Sequence, residues 1–432
     1  LIAILQKYLG DKESGEIISK GFSFLVIRIG GTVFSFAFTL YVTNTFGKAE
    51  WGLIALGLSI FTIASIIGRL GLDLNLVKFY SQDENLKEPG VFYRSWVKGF
   101  LFSSVLSFLI YLIGEPLVND FFLEPKPDLL PYLNWLLLSI PFWTTVYLSA
   151  GVMRARKMNK SFAFYTMAGR FVFLLLFVLL IAHDEALFVV KAHLVSVICL
   201  SVVSLVQAII VLKKFTLKTT HNTRVFVRES LPMMLSSSIL VLMSWMDTFV
   251  MGFFTDEGEV GVYNIAVKIT TLSVFSLQAI NSILAPKIAK YYAEGNEETY
   301  LKLIKFSTKI NFFITLFVVS VLVIFSSFFL NLFGEGFLSG VSVLLILCIG
   351  QLINSLSGSV GVIMQMIGEQ RVYQNLIISA LIINLVLTLL LTPLYGGIGA
   401  ATATVVSMIF WNIAGAYYLK QKKKIITYFN PF

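Results

Sequence analysis

Residues 213–229 read KKFTLKTTHNTRVFVRE, the only sizeable basic and polar stretch between long apolar blocks. Five of its residues are Lys or Arg, so it belongs outside the hydrocarbon of a bilayer, and it divides the 432-residue chain near its midpoint. Outward from it in both directions, apolar runs near the roughly 20 residues needed for a helical crossing recur. The chain is 57 % hydrophobic and only 13 % charged, whereas about a quarter of the residues of a soluble domain are charged. An all-α integral membrane protein is expected, because the runs are too long and too evenly apolar for barrel strands.

Twelve spans are expected: 22–46, 52–72, 97–114, 130–152, 161–182, 187–212, 231–255, 260–285, 306–330, 339–366, 373–393 and 396–419. Of the 33 basic residues, 26 lie at or beyond span ends on one side, Lys48 and Lys126 on the other, and five inside. By the positive-inside rule the basic side is cytoplasmic and carries both termini. Residues 1–21, LIAILQKYLGDKESGEIISKG, read as no cleavable signal.

The division gives an N-terminal lobe at 1–214, a cytoplasmic linker at 215–229 and a C-terminal lobe at 230–432, with six spans each. A shift of 209 aligns Glu50, Gly52, Ile60, Thr62 and Lys78 with Glu259, Gly261, Ile269, Thr271 and Lys287. A shift of 210 aligns Gly151, Val152, Leu175, Leu179 and Leu180 with Gly361, Val362, Leu385, Leu389 and Leu390. A six-span unit starts and ends on one side, so two such copies are parallel and a substrate path lies between them. The outer connections at 47–51, 183–186, 256–259 and 394–396 are tight, and 115–129 is the longer exception. None has room for a catalytic domain. AEGNEETYLKLIKF, at 293–306, reads either as an interfacial amphipathic helix or as an extension of span nine.

Charges inside a bilayer cost about 2.5 to 3.5 kcal/mol each on insertion scales, so they mark a watery cavity or a partner. Arg170, nine residues into span five, lies near the midplane and is the leading cavity cation. Arg28 and Arg69 lie within two turns of the cytoplasmic boundary, where snorkelling competes with a role at the cavity mouth. Lys191 is about a turn from the outer surface. Asp247 and Lys268 both fall on the order of 10 to 12 Å below the turn joining their helices. They are candidates for an ion pair, and Asp247 is alternatively a site for a coupling H⁺ or Na⁺. Excess positive charge in a low-dielectric cavity favours a phosphate or carboxylate. Tyr41, Trp143, Tyr147, Tyr165, Trp245 and Tyr263 are candidates to stack on sugar rings, against the alternative of belt and packing roles.

The chain has no GxxxxGK[ST] loop, serine elbow or paired-carboxylate site, and His183, His193 and His221 lack metal-ligand spacing. Enzyme, metal and cofactor are therefore not expected. Cys199 and Cys348 read as small apolar groups. The net charge of +9 fits loops facing anionic membrane lipid rather than nucleic acid.

The stretch at 41–79, YVTNTFGKAEWGLIALGLSIFTIASIIGRLGLDLNLVKF, resembles the first-to-second span region of Wzx-type polysaccharide-unit flippases. These belong to the multidrug/oligosaccharidyl-lipid/polysaccharide exporter superfamily. ESLPMMLSSSILVLMSWMDTFVMGFFTDEGEVGVYNIAVKI, at 229–269, and QAINSILAPKIAKYYAEGN, at 278–296, are similar to the seventh-to-eighth span region. The resemblance implies a MATE-like pair of six-helix lobes that alternately opens a cationic cavity to each side. It would move undecaprenyl-pyrophosphate-linked oligosaccharide across the inner membrane for O-antigen, capsule or related polymers, alongside polymerase or assembly proteins. Asp247 corresponds to the family's seventh-span aspartate. A drug exporter of the same superfamily is the first rival, but its cavity should favour acidic residues. A membrane glycosyltransferase or polymerase would need a catalytic loop that the tight connections do not leave room for.

Overall fold

The computed structural model describes residues 12–181 and 185–429, and is all-helical over them. His183 lies outside the described residues. The helices are α1 (Lys12–Gly68), α2 (Leu72–Tyr80), α3 (Gly90–Leu112), α4 (Leu129–Ala155), α5 (Asn159–Leu180) and α6 (Leu187–Leu212). They continue with α7 (Thr223–Phe254), α8 (Glu257–Ala293), α9 (Glu297–Ile324), α10 (Glu335–Met366) and α11 (Gln370–Lys423). Among the described residues, nine segments are long and apolar enough to cross a membrane, and α7, bent by 58° between Met234 and Ser238, makes a tenth.

Two of the nine are far longer than one crossing, at 43 residues for Val26–Gly68 and 54 for α11. Each breaks once, at Gly47 (φ 84°, ψ −173°) and Gly396 (φ 54°, ψ −135°). Positive φ is open to glycine at little cost, so these residues let the chain turn back where the sequence places tight outer connections. Three other helix starts carry side-chain caps. Asn222, Asp256 and Asn296 accept from the backbone N–H of Arg224, Glu259 and Thr299 at 3.0, 2.8 and 3.1 Å, starting α7, α8 and α9. The start of α7 at Thr223 lies eight residues before the expected span. The run at 297–306 continues directly into α9, so the interfacial-helix alternative is not what forms.

Lipid-facing and protein-facing surfaces separate by residue size. On α3, Leu101, Val105, Phe108 and Leu112 are exposed. Its buried face carries Ser95, Gly99, Ser103 and Ser107 at four-residue spacing against α4. Apolar burial gains little when lipid tails are the alternative, so small residues that admit close backbone approach, and hydroxyls that find partners, hold such helices together. Ser107 Oγ accordingly donates to Leu137 O at 2.6 Å.

In the first half, α4 is the hub, packed against α1, α2, α3 and α6, and in the second half α11 packs along α7 and α10. The halves meet chiefly through α1 on α7 and α8. Gly52 and Gly261, paired by the internal repeat, lie in this seam. A Cβ on Gly52 would stand 1.7 Å from Glu257 O, and one on Gly261 2.3 Å from Lys48 O. On the basic side, Gly71 makes a comparable approach to Ser230 O, and Asn75 donates to Phe226 O at 2.9 Å.

Candidate substrate cavity

α1 brings two hydroxyls, Ser35 and Thr39, one helical turn apart, to the seam between the halves. Lys268 of α8 reaches across and donates to Ser35 O at 3.0 Å, to Ser35 Oγ at 2.9 Å and to Thr39 Oγ1. All three ammonium donors are thus satisfied, and the rings of Phe36 and Trp51 lie 5.3 and 5.7 Å from the nitrogen. Hydrogen bonding is complete, but the charge is not cancelled, because no carboxylate pairs with Lys268 among the described residues.

Arg170 of α5 lies across one aromatic ring from Lys268: Phe38 of α1 is 6.2 Å from Phe171, beneath Arg170, and 6.3 Å from Trp51, beside Lys268. Its guanidinium carbon lies 5.3 Å from the centre of the Trp143 ring and 4.6 Å from that of Phe171. Aromatic faces attract a cation, yet among the described residues no carboxylate pairs with the guanidinium of Arg170. Span one is the element that makes this junction, since a Cβ on Gly31 would stand 2.8 Å from Met167 O of α5. Arg170 and Lys268 therefore come from opposite halves and flank Phe38 of α1.

The expected Asp247–Lys268 pair does not form. Asp247, 5 % exposed, accepts from Tyr263 Oη and Thr388 Oγ1 at 3.2 Å each, and from Thr404 Oγ1. Asn384 also donates to it. The error was angular. Depth below the turn matched, but Tyr263 and Lys268 are five residues apart on α8, about 140° around the helix, so they face opposite halves. Asp247 turns inward on the second half, and Lys268 turns outward to the first.

The remaining sequence candidates separate by position. Arg69 is drawn down by Asp73 at 3.4 Å and lies 3.9 Å over the Tyr147 ring. With Arg154 it lines a chamber of about 230 Å³ between α1, α2, α4 and α7. Arg28 is half-buried on α1, and Lys191 stands 5.7 Å from the Trp135 ring. The structure joins neither to the Arg170–Lys268 junction. The aromatic candidates also divide: Trp143 and Tyr147 line the chamber, Tyr263 holds Asp247, and Tyr165 donates to Gln207 at 2.6 Å.

The sequence did not single out Ser35, Thr39, Asn384, Thr388, Thr404 or Arg154. Hydroxyls at four-residue spacing also serve plain helix packing, and Arg154 was counted as a loop charge. The two outer cations have a further use. Lys126, 1 % exposed, donates to Thr255 O at 2.8 Å and lies 3.4 Å from Glu257 Oε1. Lys48 packs over Gly258 and Gly336. Each ties the outer ends of the two halves together.

A family model described as polysaccharide biosynthesis protein matches residues 17–292, and one described as MatE matches residues 232–390. The chain is 24 % identical over 177 residues to a probable low-salt glycan biosynthesis flippase, Agl15, of Haloferax volcanii, a match that spans 41 % of this chain and 38 % of that relative. It is 21 % identical to an uncharacterized membrane protein of Methanocaldococcus jannaschii, over 88 % of this chain and 79 % of that one. Among solved structures, the lipid II flippase MurJ in an inward closed conformation superimposes with a TM-score of 0.75 at 17 % identity, covering 94 % of this chain and 88 % of MurJ. A variant of the Vibrio cholerae MATE transporter VcmN gives 0.65 at 16 %, covering 96 % and 98 %. At these identities the likeness is one of fold.

Proposed function

Because the chain belongs to the polysaccharide biosynthesis protein family of the multidrug/oligosaccharidyl-lipid/polysaccharide exporter superfamily, we propose that it flips a polyprenyl-pyrophosphate-linked oligosaccharide, the undecaprenyl form in a bacterial inner membrane. It is a multi-pass membrane transporter and not an enzyme. On this reading the two halves are lobes that open alternately, both termini are cytoplasmic, and the glycan is destined for surface polymer assembly.

The observation that carries the proposal is that Arg170 and Lys268, from opposite halves, flank Phe38 through Phe171 and Trp51, with no carboxylate paired to either among the described residues. At an effective dielectric constant of 20, a unit anion 4 Å from a cation gains about 4 kcal/mol. A pyrophosphate spanning both cations would offset their mutual repulsion and draw the lobes together, coupling its binding to the change of access. A cationic drug would meet that repulsion instead, which places the exporter reading second despite the MatE match. Asp247 has a separate part in this account. Held by four uncharged donors and no cation, it is the proposed binding point for the coupling H⁺ or Na⁺.

The test is flipping of a fluorescent polyprenyl-pyrophosphoryl oligosaccharide in proteoliposomes. Arg170→Gln and Lys268→Met should each cut the rate by at least tenfold, with the purified protein still folded. Wild-type rates in both variants would refute the cationic-junction reading.

A further inference from the structure

The chamber beside the junction has a chemistry of its own. Arg69 and Arg154 face it, but so does Asp73, and the Asp73 carboxylate is already engaged with Arg69. A phosphate placed there would meet a carboxylate. The other walls combine aliphatic side chains such as Ile66, Leu74, Val77 and Val241 with aromatic and hydroxylic ones: Trp143 and Tyr147 stand edge to face with ring centres 5.2 Å apart, and Thr62, Ser65 and Ser238 line the same space. Ser65 is 1 % exposed, and its hydroxyl has no hydrogen-bond partner. A buried hydroxyl left without a partner costs about 1 to 3 kcal/mol, so a ligand that supplies one gains there.

We propose that this chamber is a sugar subsite, holding one pyranose ring of the glycan. A carboxylate accepts from neighbouring ring hydroxyls, a guanidinium donates to ring and hydroxyl oxygens, and an aromatic face covers the apolar C–H face of a sugar. At about 230 Å³, the space falls below the roughly 300 Å³ at which pockets for drug-sized ligands begin, which suits one ring and excludes an oligosaccharide. Its place fits as well. Trp143 lines the chamber and also lies against Arg170, so a single indole separates the sugar subsite from the cationic junction. A ring attached directly to a pyrophosphate needs that adjacency.

The inference rests on the flippase reading, and its test uses two probes that separate them: polyprenyl pyrophosphate without sugar, and the same carrier bearing one hexose. Binding to wild type and to Asp73→Asn, Tyr147→Leu and Ser65→Ala is measured in nanodiscs, with thermal unfolding as the check on folding. The chamber variants should bind the sugar-free carrier as wild type does and lose about tenfold on the glycosylated one. Arg170→Gln should weaken both probes alike. Equal losses on both probes in the chamber variants, or no loss on either, would overturn the sugar subsite while leaving the flippase reading in place. Indifference of the wild type to both probes would overturn the flippase reading and the subsite with it.

Discussion

Lys268 and Asp247 show how much one helical angle decides. Asp247 is buried and Lys268 half-buried on adjacent helices, which makes pairing economical, yet each is satisfied by uncharged groups in a different half. The roles of the two residues are thereby separable. Asp247→Asn should leave Tyr263, Thr388 and Thr404 with a neutral acceptor, preserve folding, and abolish the response of flipping to an imposed H⁺ or Na⁺ gradient. Unchanged gradient dependence in proteoliposomes would exclude Asp247 from coupling. Thr39→Val removes one acceptor from a half-buried ammonium and should cost about 1 kcal/mol, read as a lowered unfolding temperature. Thr39→Ser, which keeps the hydroxyl, should restore most of it.

At the scale of elements, the glycine breaks and the pinned linker are the informative features. Gly52→Val would drive a side chain into the backbone of α8. Overpacking of this kind costs typically 1 to 3 kcal/mol, so thermal unfolding should shift downward, or the outer seam should open and admit a thiol reagent to a cysteine placed at Gly258. On the basic side, Thr219 and Thr220 donate to Glu88 at 2.7 and 2.9 Å, and Arg94 donates to Leu217 O at 2.6 Å, so the linker is strapped to the α2–α3 connection. The Thr219 hydroxyl first, and then that of Thr220, hold the Glu88 carboxyl below its ordinary value of 4.5. A lowered folded-state pKa means the contribution is complete above that ordinary value and is lost as pH falls through the lower folded one. The difference in thermal stability between wild type and Glu88→Gln should therefore be present at neutral pH and fade on acidification below about 4.5. A difference that persists at low pH would show that the carboxylate charge is not what holds the strap.

For the whole molecule, helix class and the tight turns were legible because length and apolarity alone select them. Gly52 and Gly261 also make close backbone approaches across the α1–α8 contact. What the sequence could not supply was azimuth. A span's hydropathy gives depth, but the partner of Lys268, the cage around Asp247 and the chamber shared by Arg69 and Arg154 depend on which way a helix is turned by its neighbours. Depth in a span singles out Arg170, which is half-buried, while its position across Phe38 from Lys268 depends on the packing of α1 between α5 and α8. Under the proposed function, the contact between the halves, rather than either half alone, is where a pyrophosphate would be gripped. The most direct test is the flipping rate of a polyprenyl-pyrophosphoryl oligosaccharide by wild type, Arg170→Gln, Lys268→Met and the double variant in proteoliposomes. The account predicts that each single variant is at least tenfold slow and that the double is scarcely slower, because one anion needs both cations. Independent, multiplying losses, or full activity in either single variant, would contradict it.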